Sequence, residues 1–260
     1  NSYNFNVIAT DPDGKQDTES ITVNVTNAND QPIVTSGSTA TLVENLSNST
    51  VFYTITSTDQ DVSDSITYSV SGVDSGLITV DSTNGKVRLK TSADYENKSS
   101  YSFNVIATDN GVGSLSGQKT ITLNITNTND APIINNEVND IIVSENSTSV
   151  HTFDNTFKDP DDDILTLSAR LSSGAILPGW LIFNATTNKL TISPTRSELA
   201  GATVELTAND GNGGTKTDQF KIIVNYGNHP ANGEIKFTGE QALGKTITAN
   251  ASINDVEGLG

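Results

Sequence analysis

The chain repeats itself, and that repeat limits its fold more than any other feature. Residues 3–11 read YNFNVIATD and residues 101–109 read YSFNVIATD. Residues 21–32 read ITVNVTNANDQP, answered by ITLNITNTNDAP at 121–132. A looser third copy reads VELTAND at 204–210 and FKIIV at 220–224. A period of about 100 residues is the size of one β-sandwich. Within the second copy Tyr101, Phe103, Val105 and Ala107 alternate with polar or solvent-side residues, and Ile121, Leu123 and Ile125 do so on the returning segment. That period of two marks a half-buried strand, and Asp109-Asn110-Gly111 with Gly113 supplies the turn. Short strands are expected at 51–55, 66–70, 77–80 and 87–89, separated by Gly, Asp, Asn and Ser. Seven strands at even spacing predict an all-β, Greek-key sandwich.

The repeats also divide the chain. Residues 1–32 read as the last two strands of one sandwich, 33–132 as a complete sandwich, 133–226 as another, and 227–260 as the start of a further β domain. There is no initiator Met and no signal peptide. The chain opens in mid-pattern at Ser2-Tyr3-Asn4-Phe5 and stops in mid-pattern at Asp255-Val256-Glu257-Gly258, as expected of an interior piece of a longer protein. No flexible Gly/Ser linker separates the pieces, so a semi-rigid, elongated rod is expected.

Charge narrows the function. Fourteen basic residues stand against 31 acidic ones, a net charge of -17. A nucleic-acid partner needs a basic footprint, and an anionic membrane surface does too. No apolar run approaches the roughly 20 residues of a membrane span. There are no cysteines, so a secreted domain of this kind needs another staple, and a metal is one. His151 and His229 fall in different domains, and neither a zinc spacing, a GxSxG elbow nor a P-loop is present. The sequence reads as non-enzymatic.

The acidic residues and their amide companions recur at fixed places. Val43-Glu44-Asn45 follows the first strand pattern of 33–132, Asp94-Tyr95-Glu96 precedes its penultimate strand, and Asn127-Thr128-Asn129-Asp130-Ala131-Pro132 closes it. The next domain has Asp159-Pro160-Asp161-Asp162-Asp163 in an early loop and Asn209-Asp210-Gly211 in its final hairpin. An EF-hand is excluded, because Ile164 and Arg170 stand where its Gly and Glu belong. Were these motifs to meet, five or more carboxylates would crowd together and call for a cation. Calcium, which takes six to eight oxygen ligands, suits such a set.

These motifs resemble those of the cadherin family in its bacterial repeat form. The resemblance implies calcium ligands at Glu44, at Asp94 and Glu96, at Asn127, Asn129 and Asp130 of the linker, and at Asp159, Asp161 and Asp210 of the following domain. An earlier junction retains Asn27, Asn29, Asp30, Asp59, Asp61 and Asp109. Two positions depart from the family pattern: Asn127 replaces an Asp, and Ala131 replaces an Asn. From 133 to 226 the likeness shifts to the dystroglycan-type cadherin-like repeat, carried by Pro178-Gly179-Trp180-Leu181-Ile182-Phe183 and Leu190-Thr191-Ile192, although Ser193-Pro194-Thr195 departs from that motif. This domain has Ser144-Glu145-Asn146 but no equivalent of Asp94-Tyr95-Glu96, and residues 225–230 read NYGNHP, so no full calcium site is expected between it and the tail.

What the resemblance implies is a tandem of immunoglobulin-like and cadherin-like sandwiches. They would form part of a bacterial adhesin, secreted or held at the cell surface. Calcium at the junctions would stiffen the repeats, and neighbouring repeats would be one another's partners, with cell-surface proteins or glycans beyond. The alternative is that 133–226 binds a glycan or protein directly. That reading calls for an exposed aromatic pair, and Phe153, Phe157, Trp180, Phe183 and Phe220 are its candidates, with lone Trp180 expected in the core. Tyr95 is expected to pack at its domain's end.

Overall fold

A computed structural model describes residues 1–225, 232–238, 243–246 and 248–254, with side chains throughout except at 232–235 and 251–254. The chain forms two compact units, 1–128 and 129–260.

The first unit begins with a hairpin of β1 (Ser2–Thr10) and β2 (Gln16–Asn24). A sandwich follows, built from β3 (Ile33–Val34), β4 (Thr39–Val43), β5 (Tyr53–Thr54), β6 (Ser57–Thr58), β7 (Thr67–Ser71), β8 (Ile78–Val80), β9 (Lys86–Leu89), β10 (Ser100–Thr108) and β11 (Ser116–Thr126). One sheet runs β4-β11-β10-β7, the other β5-β9-β8, and β3 pairs with β6. β4 lies parallel to β11 while the other pairs are antiparallel, so the chain must cross from one sheet to the other before β4. The expected strand at 77–80 starts one residue late. Leu77 ends a short 3-10 turn, its N–H donating to the Asp74 carbonyl at 2.9 Å.

The alternation read from the sequence is the core of this sandwich. Tyr101, Phe103, Val105, Ala107, Ile121, Leu123 and Ile125 are buried against Ile55, Ile78, Val87 and Leu89 of the facing layer. Phe52 meets Phe103 edge to face at 6.2 Å. The hairpin at the start has the same local sequence and the same register, Phe5 opposite Ile21 as Phe103 is opposite Ile121. Its burial is the reverse. Phe5 is 50% exposed and Phe103 1%, because β1 and β2 pair with each other alone among the described residues and no second sheet covers them. We therefore expect Phe103→Ala to destabilise by about 3–5 kcal/mol and Phe5→Ala by no more than about 0.5, although the two sit in matching motifs. Urea denaturation of both variants checks this.

The second unit repeats the plan with β12 (Ile133–Ile134), β13 (Ile141–Ser144), β14 (Ser149–Thr152), β15 (Phe157–Lys158), β16 (Thr166–Leu171), β17 (Leu181–Asn184), β18 (Lys189–Ile192), β19 (Ala202–Asn209) and β20 (Thr215–Asn225). Its sheets run β13-β20-β19-β16 and β14-β18-β17, with β12 on β15 and β13 parallel to β20. Phe153, Leu190, Ile192, Val204, Leu206, Phe220 and Ile222 form the core, with Trp180 packed on it half-buried from the turn that precedes β17 rather than from a strand. A last hairpin joins β21 (Asn232–Thr238) to β22 (Thr248–Asn254). The expected boundary at Tyr226, His229, and the ending at Asp255-Val256-Glu257-Gly258 lie outside the described residues.

Candidate metal centre

Three groups of acidic residues emerge, each built by loops at the end of a sandwich. The first lies within the first unit. The segment after β2 brings Asn27, Asn29 and Asp30, the β6–β7 loop brings Asp59 and Asp61, and the β10–β11 turn brings Asp109. Asp61 accepts from Asn27 Nδ2 through Oδ1 and from the Asp30 amide through Oδ2, the latter at 2.7 Å. Its own amide donates to Asp59 Oδ1 at 2.9 Å. Asp109, 4% exposed, accepts from Asn29 Nδ2 at 3.1 Å and from the amides of Gly111 at 3.0 Å and Leu115 at 3.1 Å.

The sequence reading missed a member of this group. Asp64, from the same loop as Asp61, turns its Oδ2 against Gly111, where the side-chain oxygen of Asn29 also lies. A methyl group at Gly111 would displace both side-chain oxygens. Partial burial, and then repulsion from Asp61, Asp109 and Asp59, pushes the Asp64 carboxyl above the usual carboxylate range. Oδ2 of Asp59 and Oδ2 of Asp64 are buried with no hydrogen-bond partner.

The second group closes the first unit at its other end. Glu44 directly follows β4 and is 2% exposed. Its Oε2 accepts from the Tyr95 amide at 2.6 Å and its Oε1 from the Thr128 amide at 2.8 Å. The next residue, Asn45, turns the chain away in a left-handed conformation with φ 59°, which Asn tolerates better than most residues. A carboxylate oxygen of Glu96 comes within 4.8 Å of one from Glu44. Asp94 caps its own turn, Oδ1 accepting from the Asn97 amide at 2.9 Å. Asn127 follows β11 directly, and Tyr95 contributes through its backbone N–H, its residue being 37% exposed.

The third group belongs to the second unit and repeats the bonding of the first. Asn129 Nδ2 donates to Asp210 Oδ2 at 2.9 Å, as Asn29 does to Asp109. The Asp130 amide donates to Asp161 Oδ2 at 2.7 Å, and the Asp161 amide to Asp159 Oδ1 at 3.0 Å. Asp210 is 5% exposed, and the Asn129 amide together with the backbone N–H groups of Asn212, Gly214 and Gly213 holds its carboxyl below the usual range despite burial. Asp159 is 3% exposed, with Oδ2 buried and unpartnered. Asp163, quoted with this acidic loop but not among the expected ligands, accepts from Asn212 Nδ2 at 2.7 Å and holds the loop to the hairpin turn. Ala131, where the motif departs from the family pattern, fits against Gly214, whose missing Cβ would come 2.7 Å from its Cα.

Most of the sequence-predicted residues thus gather into these groups, while Asp94 accepts from the Asn97 amide within its own turn. Every candidate ligand atom is a carboxylate or amide oxygen, and the orphaned oxygens are buried where nothing among the described residues satisfies them. An ionised oxygen in that position is unfavourable unless a cation or a hydrogen bond meets it. The donor set fits a hard divalent ion of calcium's preference.

The aromatic platform required by the alternative reading does not form. Phe153, Phe157 and Phe220 are buried, while Trp180 and Phe183 pack half-buried on the same core. Phe153 lies 6.4 Å from Phe183 and 5.5 Å from Phe220. Among the described residues of this sandwich, no exposed aromatic pair remains.

Architecture defines the class: an all-β tandem of cadherin-like and immunoglobulin-like sandwiches. Comparison with known proteins agrees. Residues 38–126 match the family described as Cadherin domain, and residues 131–225 match the family described as "Putative Ig domain". Protocadherin alpha-11 of Homo sapiens is 34% identical over 109 residues, covering 40% of this chain but 12% of the relative. The chain therefore spans a small fraction of the curated relatives it matches. Among solved structures, human Protocadherin-24 EC1-2 superimposes with a TM-score of 0.56 at 19% identity, covering 75% of this chain and 99% of that one. Mouse Cadherin-23 EC22-24 gives 0.55 at 18% identity, covering 86% and 74%.

Proposed function

We propose that this chain is a calcium-binding structural segment of an extracellular adhesive protein, in which calcium at the junctions stiffens a row of repeats. The observation that carries the reading is Asp159: a carboxylate 3% exposed, in a loop with Asp161 and Asp163, with one oxygen buried and unpartnered. The duplicated hydrogen bonds of the first and third groups support it, since one arrangement built twice marks a required geometry. Asn127, Asn129 and Asp130 come from one short linker that serves the groups of both units, and we propose that these hold calcium in common. Ions so bound would restrict the swing of one sandwich on the next. In this reading 1–32 and 227–260 belong to further sandwiches, and 133–226 is a dystroglycan-type repeat on the strength of its Trp180-Leu181 motif. The protein would be a bacterial surface adhesin on the strength of its repeat form, and the repeats would extend a distal binding region. The direct-binding alternative loses the aromatic pair on which it depended.

Calorimetric titration tests the reading. Calcium should saturate the chain with a Kd of about 0.1–1 mM or tighter, the range of extracellular modules. Asp130→Ala should weaken the tightest phase about tenfold, and absence of heat in the unaltered chain would overturn the proposal. Small-angle scattering tests the stiffening separately: an unchanged maximum dimension in calcium and in chelator would leave binding without rigidity.

A further inference from the structure

The second unit differs from the first where the chain crosses between its sheets. In the first sandwich the crossing takes residues 35–38, between β3 and β4. The amides of Thr35 and Ser36 donate to the Thr56 carbonyl, the Tyr53 hydroxyl to the Gly37 carbonyl, and Lys119 Nζ to the Ser36 carbonyl. The crossing is stapled shut. In the second sandwich it takes residues 135–140, two residues longer. Its start is held in the same way, with the amides of Asn135 and Asn136 on the Thr156 carbonyl at 2.8 and 3.1 Å. His151 holds the register position of Tyr53, however, facing Leu190 as Tyr53 faces Val87, and carries no hydroxyl to reach the crossing. The longer loop leans instead on β20, with the Val138 amide on Asp218 Oδ2 and the Lys221 amide on Asp140 Oδ1, both at 2.8 Å.

The consequence is a groove of about 670 Å³ between residues 136–142 and 150–156, within the usual range of about 300–1,000 Å³ for a ligand site. Two strands border it, and each is the last in its sheet: β13 pairs with β20 alone and β14 with β18 alone, among the described residues. A terminal strand presents unpaired backbone N–H and C=O groups along one side. Ile142 is 64% exposed and Val150 56%, while buried Phe153 also lines the groove. The charges about it have one sign. Glu137, Asp140 and Asp154 are exposed, and no Lys or Arg is among the described residues lining the groove.

We propose that this groove is a docking site for an extended polypeptide segment in which basic residues alternate with aliphatic ones. Its backbone would add to the free side of β14, its aliphatic side chains would cover Val150 and Ile142, and its cations would face Glu137, Asp140 and Asp154. Strand addition draws affinity from main-chain hydrogen bonds and specificity from alternate side chains. The three features present here, a free strand side, exposed aliphatics and a rim of carboxylates, meet those requirements together. The groove shares no residue with the three acidic groups described above, so the inference is independent of calcium.

The test uses the full chain in millimolar calcium and physiological salt, with a capped six-residue peptide of alternating lysine and valine as probe. We expect binding with a Kd of about 10–500 µM, the modest affinity of a short strand, and slowed hydrogen exchange at the amides of Ser149–Thr152. Replacing lysine by glutamate in the peptide should weaken binding about tenfold or more through like-charge repulsion. N-methylating the peptide's alternate amides should abolish it. Val150→Lys, at an exposed position that leaves the thermal midpoint in place, should weaken it about tenfold as well. No binding at millimolar peptide, unchanged affinity for the N-methylated form, or protection centred on the acidic loops in place of 149–152 would each overturn the proposal.

Discussion

Chelating calcium is expected to lower the thermal midpoint of both sandwiches by about 10–20 °C. An ion that binds only the folded state stabilises it by about 2.7 kcal/mol when present at a hundredfold over Kd, and about 1 kcal/mol moves the midpoint of a domain of this size by roughly 4–8 °C. The sign follows from the orphaned oxygens. Without a cation, Oδ2 of Asp59, Asp64 and Asp159 stays buried and unsatisfied, and the folded state alone bears that penalty, because an unfolded chain hydrates its carboxylates. A chain of net charge -17 also gains from any salt through screening, so the informative control is magnesium at equal ionic strength. Magnesium demands near-octahedral geometry at shorter distances and sheds water reluctantly, and it should recover only a small part of the shift. Differential scanning calorimetry in calcium, magnesium and chelator measures all three states. Coincident scans would sink the metal reading.

Much of this arrangement was legible in the amino-acid sequence, and the rest has identifiable physical reasons for being hidden. The alternation of Tyr101, Phe103, Val105 and Ala107 announces a strand with one buried face, and that face is buried. The identical alternation at Tyr3, Phe5 and Val7 gives a strand in the same register whose face is open. Periodicity reports which residues share a face; what covers the face depends on strands elsewhere in the chain. Asn27, Asn29, Asp30, Asp59 and Asp61 stood out because each recurs 100 residues later. Asp64 escaped because the repeat is loose at that point: it follows Asp61 by three residues, whereas Asp163 follows Asp161 by two. The Asp94-Tyr95-Glu96 motif concealed one of its contacts. Tyr95 serves through its backbone N–H, which donates to Glu44, and side-chain identity carries no record of a backbone contact. The groove beside β14 was invisible for a similar reason, since it arises from two extra residues in a loop and a hydroxyl lost where His151 takes the register position of Tyr53.

Asp159→Asn should separate the two roles of its carboxylate, leaving stability in chelator unchanged or raised by up to about 1 kcal/mol while removing most of the calcium-induced gain from its own sandwich. One oxygen builds the loop: Oδ1 accepts from the amides of Asp161 at 3.0 Å and Asp163 at 3.3 Å. Asparagine keeps an oxygen for those donors. The other, Oδ2, is buried and unpartnered, and its replacement by an amide N–H₂ removes a buried charge and offers a donor to a loop crowded with carboxylates. Nothing that holds the metal-free fold is lost. The cation, by contrast, loses an anionic ligand from the most buried position in the loop and gains a dipole of the wrong sense. A merely structural aspartate would behave in the opposite manner, with its loss lowering the midpoint equally in calcium and in chelator. Asp81→Asn, on an exposed turn where its carboxylate accepts from Thr83 and Asn84, should leave the calcium response intact. Thermal scans of the three proteins with and without chelator distinguish these outcomes. A calcium gain that survives in Asp159→Asn would place the metal elsewhere or remove it from the account.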